Sequence, residues 1–215
     1  MSIRARTAGF PARPEGQMSM NDSVTKAAAS LGQLLGNRSI VFVGLMGAGK
    51  TAVGRKVAQM AGLHFIDSDH EIETVSRMTI PELFDAYGEP EFRSLECRVV
   101  QRLLEEGPQV VSTGGGAFMN PLTREAVAAR GISVWLKADL DLLMSRVMRK
   151  QDRPLLKTAD PRAVMQSLID VRYPIYAKAD VTVVSRDVSK DEMAKTVVKA
   201  LARHLKASSE GVAAQ

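Results

Sequence analysis

The chain has 215 residues, of which 45% are apolar and 25% are charged, a composition typical of one soluble globular domain with a sizeable core. No apolar run approaches the roughly 20 residues of a membrane-spanning helix, and the N-terminus lacks the apolar run of a signal peptide. We therefore expect a cytoplasmic protein without membrane contact. The single cysteine, Cys97, excludes an internal disulfide and is predicted to be a partly buried core residue.

The net charge of +5 raises the question of a nucleic-acid partner. Residues 1–38 contain five basic and two acidic residues, so the rest of the chain carries only +2. No run of five or six basic residues occurs, and a pocket for anionic substrates explains a mild positive balance equally well. We expect no nucleic-acid partner.

Strand and helix patterns alternate along the chain. Residues 1–37 are predicted to be a disordered extension with a possible short helix that ends at Gly36, residues 38–206 the globular domain, and residues 207–215 a flexible tail. Short β-branched runs predict strands at 39–43, 64–66, 109–112, 132–136 and 181–184. Helices are predicted at 49–61, 69–76, 80–86, 89–106, 121–129, 139–149, 160–172 and 187–207. Pro174 is expected to interrupt the helix that begins at residue 160. This alternation predicts an α/β fold, a three-layer sandwich in which helices cover both faces of a five-stranded parallel sheet.

Residues 44–51 form a phosphate-binding motif, Gly-Leu-Met-Gly-Ala-Gly-Lys-Thr, between a predicted strand and a predicted helix. Its glycines allow backbone N–H groups to point at phosphate oxygens, and the helix N-terminus adds positive potential. Lys50 is expected to reach the β- and γ-phosphates and Thr51 to ligate Mg²⁺. We assign ATP binding to Gly47, Ala48, Gly49, Lys50, Thr51 and Ala52. The absence of an Asn-Lys-x-Asp motif argues against a GTPase, so a small kinase is favoured.

Two carboxylates, Asp67 and Asp69, follow the second predicted strand. One can hold Mg²⁺ through water and the other can accept a proton from an attacking hydroxyl, but either can instead cap the next helix. Glu71 and Glu73 are interpreted as part of a solvated helical face.

Two arginines, Arg93 and Arg172, suit a substrate carboxylate, because a guanidinium binds that group bidentately. Gly114, Gly115 and Gly116 follow the third strand, and a close approach to a small ligand explains them better than a flexible turn. The polar segment 149–156 is either a mobile lid or a plain surface loop.

These motifs together resemble shikimate kinase. The resemblance rests on motifs in the family's order and spacing over residues 38–205, namely residues 44–51, 53–55, 65–69, 91–93, 114–116, 153–156, 172–176 and 179–180. It implies transfer of the γ-phosphate of ATP to the 3-hydroxyl of shikimate, in aromatic amino acid biosynthesis. It also implies a nucleoside monophosphate kinase-like fold with a lid, and we expect a monomer.

The resemblance also implies site roles. Asp69 would bind the shikimate hydroxyls as base or orienting group, and Asp67 would act on Mg²⁺ through water. Arg93 and Arg172 would clamp the carboxylate, beside Gly114, Gly115 and Gly116. Arg153 would be the lid arginine that faces the phosphates, and Arg149 is the candidate for a second lid arginine at adenine. Ala52 stands where the family often has threonine.

Two other classes compete with this interpretation. Another small-molecule kinase, of gluconate or a nucleoside monophosphate, would share residues 44–51 but not the paired arginines beside a triple glycine. A basic regulatory protein that uses ATP as a switch needs a basic stripe, which residues 38–215 do not offer.

Overall fold

The computed structural model describes residues 20–149 and 159–213, with side chains from 22 to 149 and from 159 to 209. The strands are β1 (Ser39–Val43), β2 (His64–Asp67), β3 (Gln109–Ser112), β4 (Gly131–Lys137) and β5 (Val181–Val184). The helices are α1 (Met20–Leu35), α2 (Lys50–Ala61), α3 (Ser68–Ser76), α4 (Ile80–Glu105), α5 (Pro121–Arg130), α6 (Leu140–Val147), α7 (Pro161–Tyr176) and α8 (Lys190–Ala213). A short 3₁₀ helix, Ala117–Met119, precedes α5.

The five strands form one parallel sheet, as predicted, and their order is β2-β3-β1-β4-β5. The central strand β1 is buried at every position, which requires cover on both faces of the sheet. Because all strands run in the same direction, the segments that follow them meet at one edge. The phosphate motif, the aspartates and the triple glycine therefore converge there.

Local signals fix most element boundaries as the sequence predicted. Thr79 and Glu82 form a capping box at the start of α4, and Asp139 caps α6 by accepting a hydrogen bond from the Leu142 N–H at 2.7 Å. The break predicted between 86 and 89 is a kink within α4, where Gly88 takes φ 78° and ψ 172°. Cys97 is buried, as expected.

Helix α1 belongs to the globular core, so the predicted boundary at residue 38 is wrong. The helix itself lies where its pattern placed it, but its apolar face packs against α8 and α2. Four of its side chains join the main hydrophobic cluster of the sheet, namely Val24, Ala28, Leu31 and Leu35. The sequence pattern showed an apolar face but not its partner, which lies at the other end of the chain.

Two helices extend past their predicted ends. Helix α7 continues through Pro174 to Tyr176, where Tyr173 and Tyr176 pack against the core. A proline removes one helical hydrogen bond, and tertiary packing overrides that loss here. Helix α8 continues to Ala213, beyond the tail boundary predicted at 207. No helix in the two described ranges is long and apolar enough to cross a membrane.

Candidate functional site

The phosphate motif forms a tight loop between β1 and α2. Gly44, Gly47 and Gly49 adopt φ of 138°, 82° and 98°, which strongly favour glycine. A Cβ at Gly44 would also lie 2.9 Å from the Leu136 carbonyl oxygen. The loop therefore requires glycine for its conformation and for its packing.

Lys50 lies at the start of α2 and reaches back over this loop. Its Nζ donates to the carbonyl oxygens of Gly44 at 2.8 Å and Leu45 at 3.1 Å. The ammonium thus lies at the helix N-terminus, where backbone N–H groups and the helix dipole already favour an anion. This arrangement can bind and stabilise phosphate oxygens.

Three oxygens meet next to the loop. The Thr51 hydroxyl donates to Asp67 Oδ2 at 2.8 Å and lies 3.3 Å from Ser112 Oγ. Asp67 also caps α3, because its Oδ1 accepts from the Asp69 N–H at 3.2 Å. The described residues contain no cluster of three or more His, Cys, Asp or Glu that would hold a metal alone. An all-oxygen set with few protein ligands fits Mg²⁺, which keeps several waters and binds substrate phosphates.

Asp69 and Glu96 approach the backbone of the triple glycine. A Cβ at Gly114 would lie 2.6 Å from Asp69 Oδ1 and 2.7 Å from Glu96 Oε1. The Gly114 N–H donates to the Ser68 hydroxyl at 3.2 Å, which holds the start of the segment in place. Close approach by two carboxylates therefore explains this glycine.

Arg93 lies on α4 between two acidic side chains. Its Nη1 donates to Glu96 Oε2 at 2.7 Å, and its Nη2 pairs with Glu89 Oε1 at 3.1 Å. The guanidinium also lies over the rings of Phe92 and Phe84, with its Cζ 5.1 and 5.9 Å from their centroids. These contacts fix the orientation of Arg93.

Glu96 is a site residue that the sequence analysis missed. Its side chain is only 2% exposed, and burial raises the pKa of its carboxyl, while the charges of Arg93 and Arg172 oppose that rise. The signal was available, because residues three apart lie on one helix face and Arg93 precedes Glu96 by three.

Arg172 approaches the same glycines from α7. Its Nη1 donates to the Gly115 carbonyl oxygen at 3.1 Å, and the Tyr176 hydroxyl donates to the same oxygen. A Cβ at Gly116 would collide with the Arg93 guanidinium at 2.3 Å from Nη1. The two predicted arginines therefore flank one glycine segment.

Arg146 is a second residue that the sequence analysis missed. Its Nη1 lies 3.4 Å from the carbonyl oxygens of both Gly47 and Ala48, and 3.0 Å from Ser185 Oγ. Arg149, the predicted adenine contact, lines the cleft that also contains Arg146 and the phosphate loop. Arg153 and most of segment 149–156 lie outside the described residues.

The two acidic residues assigned to a solvated face have partners. Glu71 pairs with Arg102, and Glu73 Oε1 accepts a hydrogen bond from the Ile80 N–H at 3.1 Å. Both contacts join α3 to α4, so these glutamates have structural roles.

The phosphate loop and the arginine-flanked glycines line one open cleft of about 1510 Å³. A pocket for one small ligand measures about 300–1,000 Å³, so this cleft has room for a nucleotide and a second small molecule.

Fold and site together define a P-loop kinase that acts on a small molecule. The family model described as "Shikimate kinase" matches residues 46–202. The chain belongs to the shikimate kinase family.

Similar proteins cover nearly the same part of the chain. A protein from Mesorhizobium japonicum named shikimate kinase is 69% identical over 177 residues, which are 82% of this chain and 87% of the relative. A shikimate kinase from Rhizobium leguminosarum bv. trifolii is 64% identical over 167 residues, 78% of this chain and 85% of the relative. The solved structure of shikimate kinase from Acinetobacter baumannii in complex with shikimate is 36% identical with a TM-score of 0.74, covering 79% of this chain and 95% of that one.

Proposed function

We propose that the protein transfers the γ-phosphoryl group of ATP to the 3-hydroxyl of shikimate, which yields shikimate 3-phosphate and ADP. One observation supports this most directly: Arg93 and Arg172 flank the triple glycine in the cleft that also contains the phosphate loop. Paired guanidinium groups suit a carboxylate, and shikimate combines a carboxylate with hydroxyls. The family match and the neighbour solved with shikimate bound support the same acceptor.

ATP is proposed to bind along the loop from β1 to α2. The backbone N–H groups of residues 47–52 would contact phosphate oxygens, and Lys50 would stabilise the charge that develops on the transferred group. Arg146 contacts this loop directly and is proposed to lie beside the nucleotide. Arg149 and Arg153 keep their expected roles at adenine and at the phosphates.

Shikimate is proposed to bind on the opposite side of the cleft. Arg93 and Arg172 would hold its carboxylate, while Gly114, Gly115 and Gly116 leave space for its ring. Asp69 lies against Gly114 and would accept or orient the attacking hydroxyl. In a loose transition state the nucleophile gains little from early deprotonation, so positioning would be the larger part of this role.

Thr51 and Asp67 are proposed to hold Mg²⁺, Thr51 directly and Asp67 through water. The bound ion would neutralise charge between the β- and γ-phosphates.

The cytoplasmic location and the monomeric state expected from the sequence are likewise proposals. Light scattering of the purified protein tests the monomeric state.

A panel of acceptors tests the proposed reaction. ADP release is measured with shikimate, gluconate and nucleoside monophosphates at saturating ATP and Mg²⁺. We expect turnover with shikimate alone. In the Arg172→Ala variant we expect a higher KM for shikimate and a nearly unchanged KM for ATP. Turnover with another acceptor and none with shikimate would refute the proposal, and an equal loss of ATP affinity would refute the role of Arg172.

A further inference from the structure

The carbonyl oxygen of Gly115 accepts hydrogen bonds from two side chains of one helix. Arg172 Nη1 donates at 3.1 Å, and the Tyr176 hydroxyl donates from the next turn of α7. Residues four apart lie on the same helix face, so both side chains point at this carbonyl together. A carbonyl oxygen has two lone pairs, and these two donors use both.

Tyr176 is the buried member of this pair. Its side chain is 1% exposed and packs against Trp135 and Tyr173, with ring centroids 6.0 and 6.2 Å away. Burial raises the pKa of Tyr176 to about 12, although a tyrosine hydroxyl is a proton donor at neutral pH even without this shift. The buried hydroxyl and the Arg172 guanidinium thus both hold the Gly115 carbonyl from α7.

The Gly115 segment needs such an anchor. Three consecutive glycines have no side chains to fix their position. The side chains that lie against them in space are two carboxylates and two guanidinium groups of the candidate site. A Cβ at Gly115 would lie 3.4 Å from Arg172 Nη1, and one at Gly116 would lie 2.3 Å from Arg93 Nη1. A small displacement of this backbone therefore changes the space that both arginines share with a ligand.

We propose that Tyr176 is a positioning residue for the acceptor, because its hydroxyl fixes the Gly115 carbonyl and thereby the Arg172 guanidinium that receives the acceptor carboxylate. The inference rests on the proposed function, in which Arg172 binds that carboxylate. Without the hydroxyl, Arg172 is the remaining donor to the Gly115 carbonyl. The orientation of its guanidinium then depends on both this carbonyl and the substrate carboxylate.

Tyr173 provides a matched control on the same helix. Its hydroxyl also donates to a backbone carbonyl, that of Ala138, and its ring lies in the same cluster 4.9 Å from Trp135. Tyr173→Phe and Tyr176→Phe each remove one hydroxyl with one such bond. Both variants should therefore lose similar stability, while only Tyr176→Phe disturbs Gly115.

Steady-state kinetics with shikimate and ATP, together with thermal unfolding, test the inference. The net value of one hydrogen bond predicts a rise in the shikimate KM of about two- to twelvefold for Tyr176→Phe, with the ATP KM unchanged within error. Tyr173→Phe should leave both values unchanged. Equal shikimate KM values in the two variants would overturn the inference, as would a matching rise in the ATP KM.

A double-mutant cycle separates positioning from a general loss of packing. If Tyr176 acts through Arg172, Tyr176→Phe has little further effect on shikimate KM in the Arg172→Ala background. Fully additive effects would overturn the inference. Failure of the unmodified protein to use shikimate would refute the proposed function, whereas normal turnover with an unchanged KM in Tyr176→Phe refutes only this step.

Discussion

Replacing Gly116 with alanine tests the geometry of the acceptor half most directly. The added Cβ would lie 2.3 Å from Arg93 Nη1, 2.5 Å from Cζ and 2.6 Å from Nη2, all too close for a real contact. Gly116 has φ −95° and ψ −19°, which alanine adopts without strain. The three atoms nearest to this Cβ all belong to the Arg93 side chain, so Arg93 must move.

The expected loss follows from what Arg93 does in the proposed complex. A hydrogen bond to a charged group contributes about 1.5–3 kcal/mol, and about 1.4 kcal/mol corresponds to tenfold in affinity. Displacing Arg93 should thus raise the shikimate KM about 10- to 140-fold. Arg93 is paired with the buried Glu96, so its displacement should also lower the free energy of unfolding, by about 1–3 kcal/mol.

The assay is coupled ADP release with shikimate varied at saturating ATP, and then the reverse, alongside thermal unfolding. Gly115→Ala is the comparison within the same loop, because the nearest atom to its Cβ, Arg172 Nη1, lies at 3.4 Å. Its effect on shikimate KM should be smaller. A Gly116→Ala enzyme with an unchanged shikimate KM would refute the assignment of Arg93 to the carboxylate. A loss of stability well above about 3 kcal/mol would show that this glycine mainly serves packing.

Two further substitutions test the nucleotide half and the core. Lys50→Met should lower kcat by about 100-fold or more, because preorganised charge dominates phosphoryl transfer. Lys56, on the same helix, pairs with Asp191 at 3.0 Å, and Lys56→Met should retain turnover. Similar losses of kcat in both variants would contradict the role of Lys50. Leu31→Ala should lower the free energy of unfolding by about 2–5 kcal/mol, because this side chain is fully buried in the main cluster. Gly32→Ala, where the Cβ meets nothing within 4 Å, should instead preserve or slightly raise stability. Urea unfolding measures the stability of both variants. An unchanged free energy of unfolding in Leu31→Ala would contradict the placement of α1 in the core.

The phosphate loop is the part of the site that local sequence alone was enough to reveal. The phosphate loop needs only its own glycines and the strand and helix beside it, so its pattern was sufficient. Arg146 was missed because its partners, Gly47 and Ala48, lie 99 and 98 residues away and no local pattern links them. Tyr176 was missed for the same reason, since Gly115 is 61 residues earlier.

The fold shows the same division between local and distant information. Strand positions followed from short β-branched runs, and strand order depended on the pairing of distant segments, as in β1 with β3 and β4. Helix α1 was recognised by its apolar spacing, but only its contact with α8 shows that it belongs to the core. Pro174 misled the prediction because a proline weakens a helix locally, while the packing of Tyr173 and Tyr176 stabilises it from outside.

The two halves of the cleft are built to bind anions in different ways. In the nucleotide half, Lys50 and Arg146 donate to carbonyl oxygens of the phosphate loop, so their positive charge adds to that of the helix N-terminus. In the acceptor half, Arg93 is paired with the buried Glu96, and the positive charge of Arg172 also stabilises the Glu96 carboxylate. Positive charge is therefore largely balanced there, and a diffuse attraction for any anion is weak. In the proposed complex, a ligand would gain affinity in that half when its carboxylate matches the positions of fixed N–H groups. This would allow a cleft that binds highly charged ATP also to select a singly charged acceptor.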